Sequence, residues 1–257
     1  MDSSAVDALC GMLGRSLKAF LPMAHACSPP DNLRATAGIA VLLATYNGAA
    51  FLEAQLASLE AQSFPHWRLL VRDDDSTDDT PQILRAWAAR HPGRIALLED
   101  GAGRQGVVGN FARLLAACDA PWFMCCDQDD VWLPDKLAVF AERMATLENR
   151  LGPDTPILIH SDLAVVDCDL APIAASFWRY QGLDVRRGGR FRALLRRNVV
   201  TGCVCMGNAA LRRLAIPIPA EARVHDWWPP RWDISRCWTA PPCCTASIAP
   251  TRSGAGP

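Results

Sequence analysis

The chain has 257 residues, half of them hydrophobic, and a formal net charge of -1 at pH 7. This length suffices for one large α/β domain with a sizeable core. The near-neutral charge argues against bulk nucleic-acid binding, which depends on many basic side chains that neutralise phosphates. The eleven cysteines include no C-x-x-C pair, so zinc-knuckle spacing is absent, and we interpret them as buried thiols of a cytoplasmic protein.

The N-terminal stretch, residues 1–37, carries a helical pattern. Apolar residues recur at helical spacing between Leu9 and Leu21, but Asp7 and Arg15 interrupt any run long enough to cross a bilayer. The small-residue cleavage pattern of a signal peptide is also missing. We therefore predict a packing helix or an unstructured leader here, with a helix on a membrane surface as the less favoured alternative.

From Gly38 onwards the sequence alternates between apolar strands and amphipathic helices. The first strand, IAVLLAT, is apolar throughout, which is typical of a strand covered on both faces. Pro81 falls where the first turn of a helix tolerates proline. In chain order we predict strands at 39–45, 67–73, 94–100 and 121–127, and helices at 50–62, about 81–91, 107–118 and 136–148.

Four strand–helix repeats with short connections predict an α/β fold with a mostly parallel, Rossmann-like sheet and helices on both faces. After Pro153 the pattern weakens, and we treat the remainder as an extension of one domain, 38–228. The tail, 229–257, holds six prolines without periodicity, which predicts disordered coil. The weaker elements are strands at 156–162 and 163–169, which are candidates to pair with each other, a basic helix at 191–198, a strand at 199–207 and a helix at 208–214.

Polar and acidic residues follow three of the predicted strands, and the carboxyl ends of parallel strands lie at one edge where ligands bind. Close carboxylates repel, so such a cluster needs either a cation or a solvated turn. No glycine-rich phosphate loop is present. A hard cation such as Mg²⁺ or Mn²⁺, held by Asp127 and Asp129 and bridging a diphosphate, is the functional interpretation. The three stretches are Thr45–Asn47, Asp73–Asp75 and Asp127–Asp130.

Each of these stretches also has a purely structural interpretation. Asp130 or Asp135 can cap the helix that follows the fourth strand. Ser76, Thr77 and Asp78 are natural turn and capping residues before a helix. From the residues alone both interpretations stay open.

Several separated motifs, which occur in order over residues 39–228, resemble glycosyltransferase family 2, whose fold is GT-A. The first motifs are VLLATYNGAAFLEAQLASLEAQSFPHWRLLVRDDDSTDDT, GNFARLL and CDQDDVWLPDKL. The later motifs, IHSDLAVVD, NVVTGCVCMGNAAL and HDWW, are similar to the bacterial rhamnosyltransferase-like branch. The resemblance implies an inverting enzyme that moves a sugar, with dTDP-rhamnose as one candidate donor, from a nucleotide-diphospho-sugar to a hydroxyl of a saccharide or lipid-linked acceptor.

The resemblance also implies roles for individual residues. Thr45, Tyr46, Asn47 and Asp73 would hold the base and ribose of the donor.

At the acid cluster, Asp127 would lie on the nucleotide side of the D-x-D element and Asp129 would bind Mn²⁺ or Mg²⁺. Asp226, in HDWW, would be the general base that takes the proton of the acceptor hydroxyl. Contact with the inner membrane would then be peripheral and made through the acceptor.

Two positions depart from the family pattern. Asp75 stands where the family has glycine, which matters if the backbone there needs a positive φ. After HDWW, Pro229 and Pro230 would stop a helix at once, and the change in composition suggests a shifted frame or a truncated gene. A remnant that only binds nucleotide is therefore an alternative. A sugar nucleotidyltransferase is less favoured, because the Gly/Arg-rich loop it needs is absent.

Overall fold

The structure, a computed structural model, describes residues 38–183 and 200–219, and the backbone of 237–239 and 246–248. The N-terminal stretch 1–37, the basic helix expected at 191–198 and the expected base Asp226 lie outside the described residues. The elements in chain order are β1 (Ile39–Thr45), α1 (Ala49–Glu60), β2 (Trp67–Asp73), α2 (Thr80–Arg90), β3 (Ile95–Leu97), α3 (Gly106–Ala117), β4 (Trp122–Asp127), α4 (Lys136–Leu151), β5 (Leu158–His160), β6 (Ala164–Val166), β7 (Pro172–Ala174), α5 (Phe177–Tyr180), a 3-10 helix (Gly202–Val204), β8 (Cys205–Asn208), α6 (Ala209–Ala215), β9 (Cys237–Thr239) and β10 (Ala246–Ile248).

The main sheet has seven strands in the order β3-β2-β1-β4-β8-β5-β9. All neighbouring pairs are parallel except those made by β8, which runs antiparallel to both β4 and β5. The predicted mostly parallel α/β sheet is therefore confirmed. Because β4 and β5 both oppose β8, their carboxyl ends lie at the same edge of the sheet as those of β1 and β2.

Helices cover both faces of this sheet, as the apolar character of β1 predicts. Ile39, Val41 and Leu43 pack into one core, which α1, α2 and α4 complete, while Ala40 and Leu42 point into the opposite core with α3 and α6. This two-sided burial removes the strand from water and explains why IAVLLAT contains no alternating polar residue.

The first half of the chain follows the predicted elements closely, with one shortening. β3 covers three residues instead of the predicted seven, although Leu98 N still donates to Val71 O at 2.8 Å. The chain then leaves the sheet through Gly101 and Gly103, both of which have positive φ. As an edge strand, β3 is paired on one side only, so it can end wherever these turns begin.

The second half corrects two expectations. The segments 156–162 and 163–169 do not pair with each other, because β5 lies in the main sheet and β6 lies in a separate sheet of order β10-β6-β7. Asp162 separates them, since its Oδ1 accepts the N–H of Leu163 at 2.9 Å and turns the chain. Within the strand predicted at 199–207, Gly202–Val204 forms a 3-10 helix before β8.

The tail is also not coil throughout. β9 pairs with β5, and β10 pairs with β6. A strand that joins an open sheet edge gains its hydrogen bonds from a distant partner, so three-residue strands need no strong local pattern.

The burial of most of the described cysteines agrees with the interpretation as apolar thiols. Among the described residues six cysteines are free, and of these only Cys168 is exposed. In that same part of the chain, no helix combines the length and apolar character needed to cross a membrane.

Candidate functional site

Asp73 is fixed in orientation at the end of β2. Thr45, which lies opposite Asp73 in the β1–β2 register, donates its hydroxyl to Asp73 Oδ1 at 2.8 Å. Ser76 donates its backbone N–H to Asp73 Oδ2 at 2.9 Å and its hydroxyl to Oδ1 at 2.6 Å. With three donors, the carboxylate is held in one position beside the end of β1.

The turn after β1 is built from the same group of side chains. The backbone of Asn47 is in the left-handed conformation, with φ 46, which asparagine tolerates better than most residues. Its N–H donates to Ser76 Oγ and its side-chain Oδ1 accepts the N–H of Thr77, both at 2.8 Å. Ser76 and Thr77 thus connect the two loops, and neither caps the following helix as the structural interpretation suggested.

Asp78 supports the starts of two helices at once. Its carboxylate accepts the N–H of Ala49 at 3.1 Å and the N–H of Thr80 at 3.0 Å. The hydrogen bonds with Thr80, and those with other backbone groups, lower the pKa of Asp78. The capping role expected from the sequence for this residue is therefore present, and it joins α1 to α2.

Gln128 joins the end of β4 to the turn after β1. Its Oε1 accepts the N–H of Tyr46 at 2.8 Å, and its Nε2 donates to Tyr46 O at 3.0 Å. A Cβ at Gly48 would lie 2.2 Å from Gln128 Oε1, so a side chain there would displace this amide. Glycine at position 48 thus allows the two loops to meet.

The acid loop, Asp127–Asp130, brings several carboxylates together. Asp127 and Asp129 are half-buried, while Asp130 is 3% exposed and its Oδ2 is buried without a hydrogen-bond partner. Burial and the charge of Asp127 raise the pKa of Asp129 to about 6. Burial, followed by Asp127, raises the pKa of Asp130 well above its usual value. The mutual repulsion expected from the sequence is therefore present.

One oxygen each of Asp127 and Asp130, with the Sγ of Cys203, lie within 4.8 Å of one another. Burial raises the pKa of the Cys203 thiol well above its usual value. Sulfur is also a soft ligand, which suits a hard cation poorly. The carboxylate oxygens, in contrast, are donors that suit Mg²⁺ or Mn²⁺. Asp130 does not cap α4, whose N-cap is Asp135 without a side-chain cap bond.

Lys136 lies beneath the acid loop and is completely buried. Its Nζ donates to Cys203 O at 2.9 Å and lies 3.7 Å from the centroid of the Trp132 ring. Burial lowers the pKa of Lys136, whereas the negative charge of Asp130 acts in the opposite direction. The loop therefore has an internal cation.

A cavity of about 210 Å³ lies beside Asp73, between the end of β2 and the loop after β3. Its wall combines apolar side chains with acids and arginines. Behind it, the buried Arg72 forms a two-point ion pair with Asp100, contacts Asp74 at 2.9 Å and donates to Gly103 O at 2.8 Å. These hydrogen bonds lower the pKa of Asp100 to about 2. The lining includes Val71, Leu84, Leu97, Leu98, Asp75 and Arg85.

The sequence of this sheet edge matches a known family. Residues 40–151, which contain the turn after β1, Asp73 and the acid loop, match the family described as Glycosyl transferase family 2. Residues 40–151 of the chain are therefore similar to glycosyltransferase family 2. The family resemblance inferred from the motifs is confirmed.

Two curated relatives of the chain are named as sugar transferases. dTDP-rhamnosyl transferase RfbG of Shigella flexneri is 34% identical over 98 residues, which are 37% of this chain and 34% of RfbG. The UDP-Glc:alpha-D-GlcNAc-diphosphoundecaprenol beta-1,3-glucosyltransferase WfgD of Escherichia coli is 28% identical over 114 residues, 44% of this chain and 43% of WfgD. The chain thus matches less than half the length of either relative.

Among solved structures, the mannosyltransferase PcManGT of Pyrobaculum calidifontis, in complex with GDP-Man and Mn²⁺, is similar with a TM-score of 0.57. It is 19% identical in sequence, and the match covers 97% of this chain and 67% of PcManGT. At this identity the likeness concerns the fold, and it agrees with the GT-A architecture expected from the motifs.

The structure brings five of the residues expected from the sequence to one edge of the family 2 domain: Thr45, Tyr46, Asn47, Asp73 and Asp127. Asp129 follows in the same loop, whereas Asp226 lies outside the described residues.

Sequence reasoning missed Gln128, Lys136 and Arg72, which connect the loops of this edge. The partners through which they connect the loops are 28 or more residues away in the chain, as for Arg72 with Asp100, so no local pattern indicates these connections. The signal that was available for Lys136 is its place at the first position of α4, beside an apolar stripe.

Proposed function

We propose that this chain is an inverting glycosyltransferase that moves a sugar from a nucleotide-diphospho-sugar to a hydroxyl of a saccharide or lipid-linked acceptor, with the help of a divalent ion. The observation that carries the proposal is the convergence of the Thr45–Asn47 turn, Asp73 and the acid loop at one edge of a family 2 domain. Ligands of open α/β sheets bind at this kind of edge.

The donor nucleotide would occupy the edge formed by β1 and β2. Thr45, Tyr46, Asn47 and Asp73 are assigned to its base and ribose, and the cavity beside Asp73 offers a flat ring both polar and apolar side chains. Because Thr45 and Ser76 already orient the Asp73 carboxylate, little ordering would be needed when the nucleotide binds.

Asp129 and Asp127 would hold Mn²⁺ or Mg²⁺. Two facts support this assignment: Asp127 and Asp129 are half-buried carboxylates that repel each other, which is a donor set that suits a hard cation, and PcManGT is bound to GDP-Man and Mn²⁺. When bound, such an ion supplies Lewis-acid stabilisation of the negative charge on the departing diphosphate.

Asp226 is assigned as the general base. A carboxylate in hydrogen-bond reach of the acceptor hydroxyl would take its proton as the oxygen attacks the anomeric carbon from the face opposite the diphosphate, so the configuration inverts.

The names of two relatives guide the choice of substrates, since RfbG is a dTDP-rhamnosyl transferase and WfgD acts on a diphosphoundecaprenol-linked sugar. We propose dTDP-rhamnose as the first donor to test, and peripheral contact of a cytoplasmic enzyme with the inner membrane through a lipid-linked acceptor.

Calorimetry with dTDP and UDP, with and without Mn²⁺, tests the donor site. We expect nucleotide binding that tightens when Mn²⁺ is added, and loss of that tightening in Asp129→Ala. The matched control is Asp135→Ala, which removes another half-buried acid near the loop that accepts no cap bond. Nucleotide binding that neither Mn²⁺ nor Asp129→Ala changes would contradict the assignment of the acid loop.

A second experiment tests the base. Asp226→Asn should keep nucleotide binding and abolish transfer, because the amide cannot accept a proton. Equal loss of binding and transfer would remove Asp226 from this role. Nucleotide binding by the unaltered chain without any transfer would favour the alternative of a remnant that only binds nucleotide.

A further inference from the structure

Lys136 is a charged side chain in a place where charges are costly. It is completely buried, yet its ammonium group has a carbonyl acceptor, Cys203 O at 2.9 Å, and an aromatic face, Trp132 at 3.7 Å. A buried ammonium stays charged only when such partners replace its water. The contacts therefore identify Lys136 as a cation that the fold retains beneath the acid loop.

Lys136 is linked to the acid loop through Cys203, because the carbonyl of Cys203 accepts from Nζ and its Sγ lies within 4.8 Å of one oxygen each of Asp127 and Asp130. Asp130 also has a buried Oδ2 without a hydrogen-bond partner. An oxygen of Asp130 lies in turn within 4.8 Å of an oxygen of Asp127. Lys136 is thus placed near Asp127, one of the two carboxylates to which we assign the divalent ion.

A resident cation and a divalent ion repel each other, and the repulsion is strong where water is excluded. The acid loop without nucleotide should therefore bind a divalent ion less tightly than its number of carboxylates suggests. A diphosphate adds negative charge at the same place and restores the attraction.

We propose that Lys136 is a positioning residue that weakens divalent-ion binding to the empty acid loop, so that the ion binds together with the nucleotide diphosphate and leaves with it. The inference rests on the proposed function and concerns the order in which ion and nucleotide bind. Lys136 also ties the acid loop to the 3-10 helix Gly202–Val204 through the carbonyl of Cys203.

The sign of one mutational effect separates this role from a merely structural one. If Lys136 only held the loop in shape, its replacement would loosen the site and weaken ion binding. If its charge repels the ion, its replacement by an uncharged side chain of similar length tightens ion binding. Lys136→Met is that replacement, because methionine is flexible and can keep the contact with Trp132.

The test is a titration of the full chain with Mn²⁺, followed by the EPR signal of free Mn²⁺, without nucleotide and with dTDP or UDP. We expect the unaltered chain to bind Mn²⁺ much more tightly with nucleotide than without it. Lys136→Met should bind Mn²⁺ alone at least tenfold more tightly than the unaltered chain, and the gain from nucleotide should shrink accordingly. Arg150→Met, an exposed basic residue near the end of α4, is the matched control and should leave Mn²⁺ binding unchanged.

A second pair of variants covers the case in which Lys136→Met does not fold. Asp130→Asn with Lys136→Met removes both buried charges and leaves neither unpaired. This double variant should bind Mn²⁺ more tightly than Asp130→Asn alone. Circular dichroism identifies which variants are folded and can be compared.

Mn²⁺ binding that is unchanged or weaker in both comparisons would overturn the role of Lys136 while leaving the metal site in place. Absence of Mn²⁺ binding in every folded variant, with nucleotide still bound, would overturn this role and the proposed metal site together. Absence of nucleotide binding in the unaltered chain would instead contradict the proposed function itself, which separates the two failures.

Discussion

The two halves of the described chain are held together in different ways. In the first half, up to Leu151, β1, β2 and β4 have six or seven residues each, and continuous apolar cores cover them. In the second half, from 152 to 219, strands have three or four residues and rely on single buried polar side chains. A periodic apolar pattern specifies the first half, and a few long-range hydrogen bonds specify the second.

Asn208 illustrates how the second half is fixed. It is completely buried at the start of α6, where its Oδ1 accepts the N–H groups of Leu211 at 3.0 Å and Ile157 at 3.1 Å. Its Nδ2 donates to Thr155 O at 2.9 Å and to Glu148 Oε1 at 3.1 Å. One side chain thus joins the end of α4, the loop before β5 and the start of α6.

The largest effect is expected in the first half, at the buried ion pair of Arg72 with Asp74. Arg72→Met should lower the free energy of unfolding by about 3–5 kcal/mol, because Asp74 keeps its burial and loses its counter-charge. Urea unfolding measures the change. The control is Arg68→Met, which breaks an exposed ion pair with Asp119 and should cost less than about 1 kcal/mol. Equal losses would show that the apolar core alone decides stability in this half.

A smaller loss is expected from the corresponding change in the second half. Asn208→Ala should lower the free energy of unfolding by about 2–3 kcal/mol, since it leaves the buried N–H groups of Leu211 and Ile157 without acceptors. Asn149→Ala, at an exposed position of α4, should change it by less than about 0.5 kcal/mol. If both asparagines behaved alike in urea unfolding, the second half would not depend on its polar connections.

The same contrast explains how much of the molecule the sequence predicts. The strands and helices of the first half follow from local periodicity, and the acids at the carboxyl ends of β1, β2 and β4 meet at one edge because parallel strands must place them there. For the second half, β5 and β6 are apolar enough to suggest pairing. Asp162 instead directs them into different sheets, through bonds to Leu163 and to Trp178 N at 3.1 Å.

The contacts across the site could not be predicted either, because they join residues that are far apart in the chain. The Gln128 amide is equivalent to any surface glutamine until the Tyr46 backbone is known to lie opposite it. Lys136 resembles an ordinary first-turn helix residue until Cys203, 67 residues later, is seen to return beneath the acid loop.

The dependence of the second half on buried polar side chains can also be tested through the effect of pH on stability, at His160, at the end of β5. This side chain is 4% exposed, contacts the edge of Trp178 at 5.7 Å between ring centroids, and has a buried Nδ1 without a partner. Burial lowers its pKa to about 4, below the roughly 6.5 of an unfolded histidine. As the pH falls from about 6.5 to about 4 the unfolded chain takes up this proton first, so the stability present above pH 6.5 is progressively lost.

The expected loss from His160 between pH 7 and pH 4.5 is about 2 kcal/mol of unfolding free energy. His160→Leu should remove this part of the pH dependence while leaving that due to the carboxylates. Urea unfolding of both proteins at the two pH values gives the difference. An identical pH dependence in the two proteins would mean that His160 takes up its proton as readily in the folded chain as in the unfolded chain.

The smallest expected effect lies back in the first half, at Asp75, which occupies a left-handed position with φ 60. Asp75→Gly should raise the unfolding free energy by a few tenths to about 1 kcal/mol, because glycine adopts this conformation without strain but loses more entropy on folding. Since Asp75 lines the cavity beside Asp73, loss of its charge should also tighten dTDP binding, measured by calorimetry.

For the stability effect, Asp79→Gly is the matched control, because Asp79 is exposed nearby with φ -74 and its replacement relieves no strain. A gain in stability from Asp79→Gly equal to that from Asp75→Gly would show that crowded negative charge, and not the left-handed backbone, limits the stability of this loop.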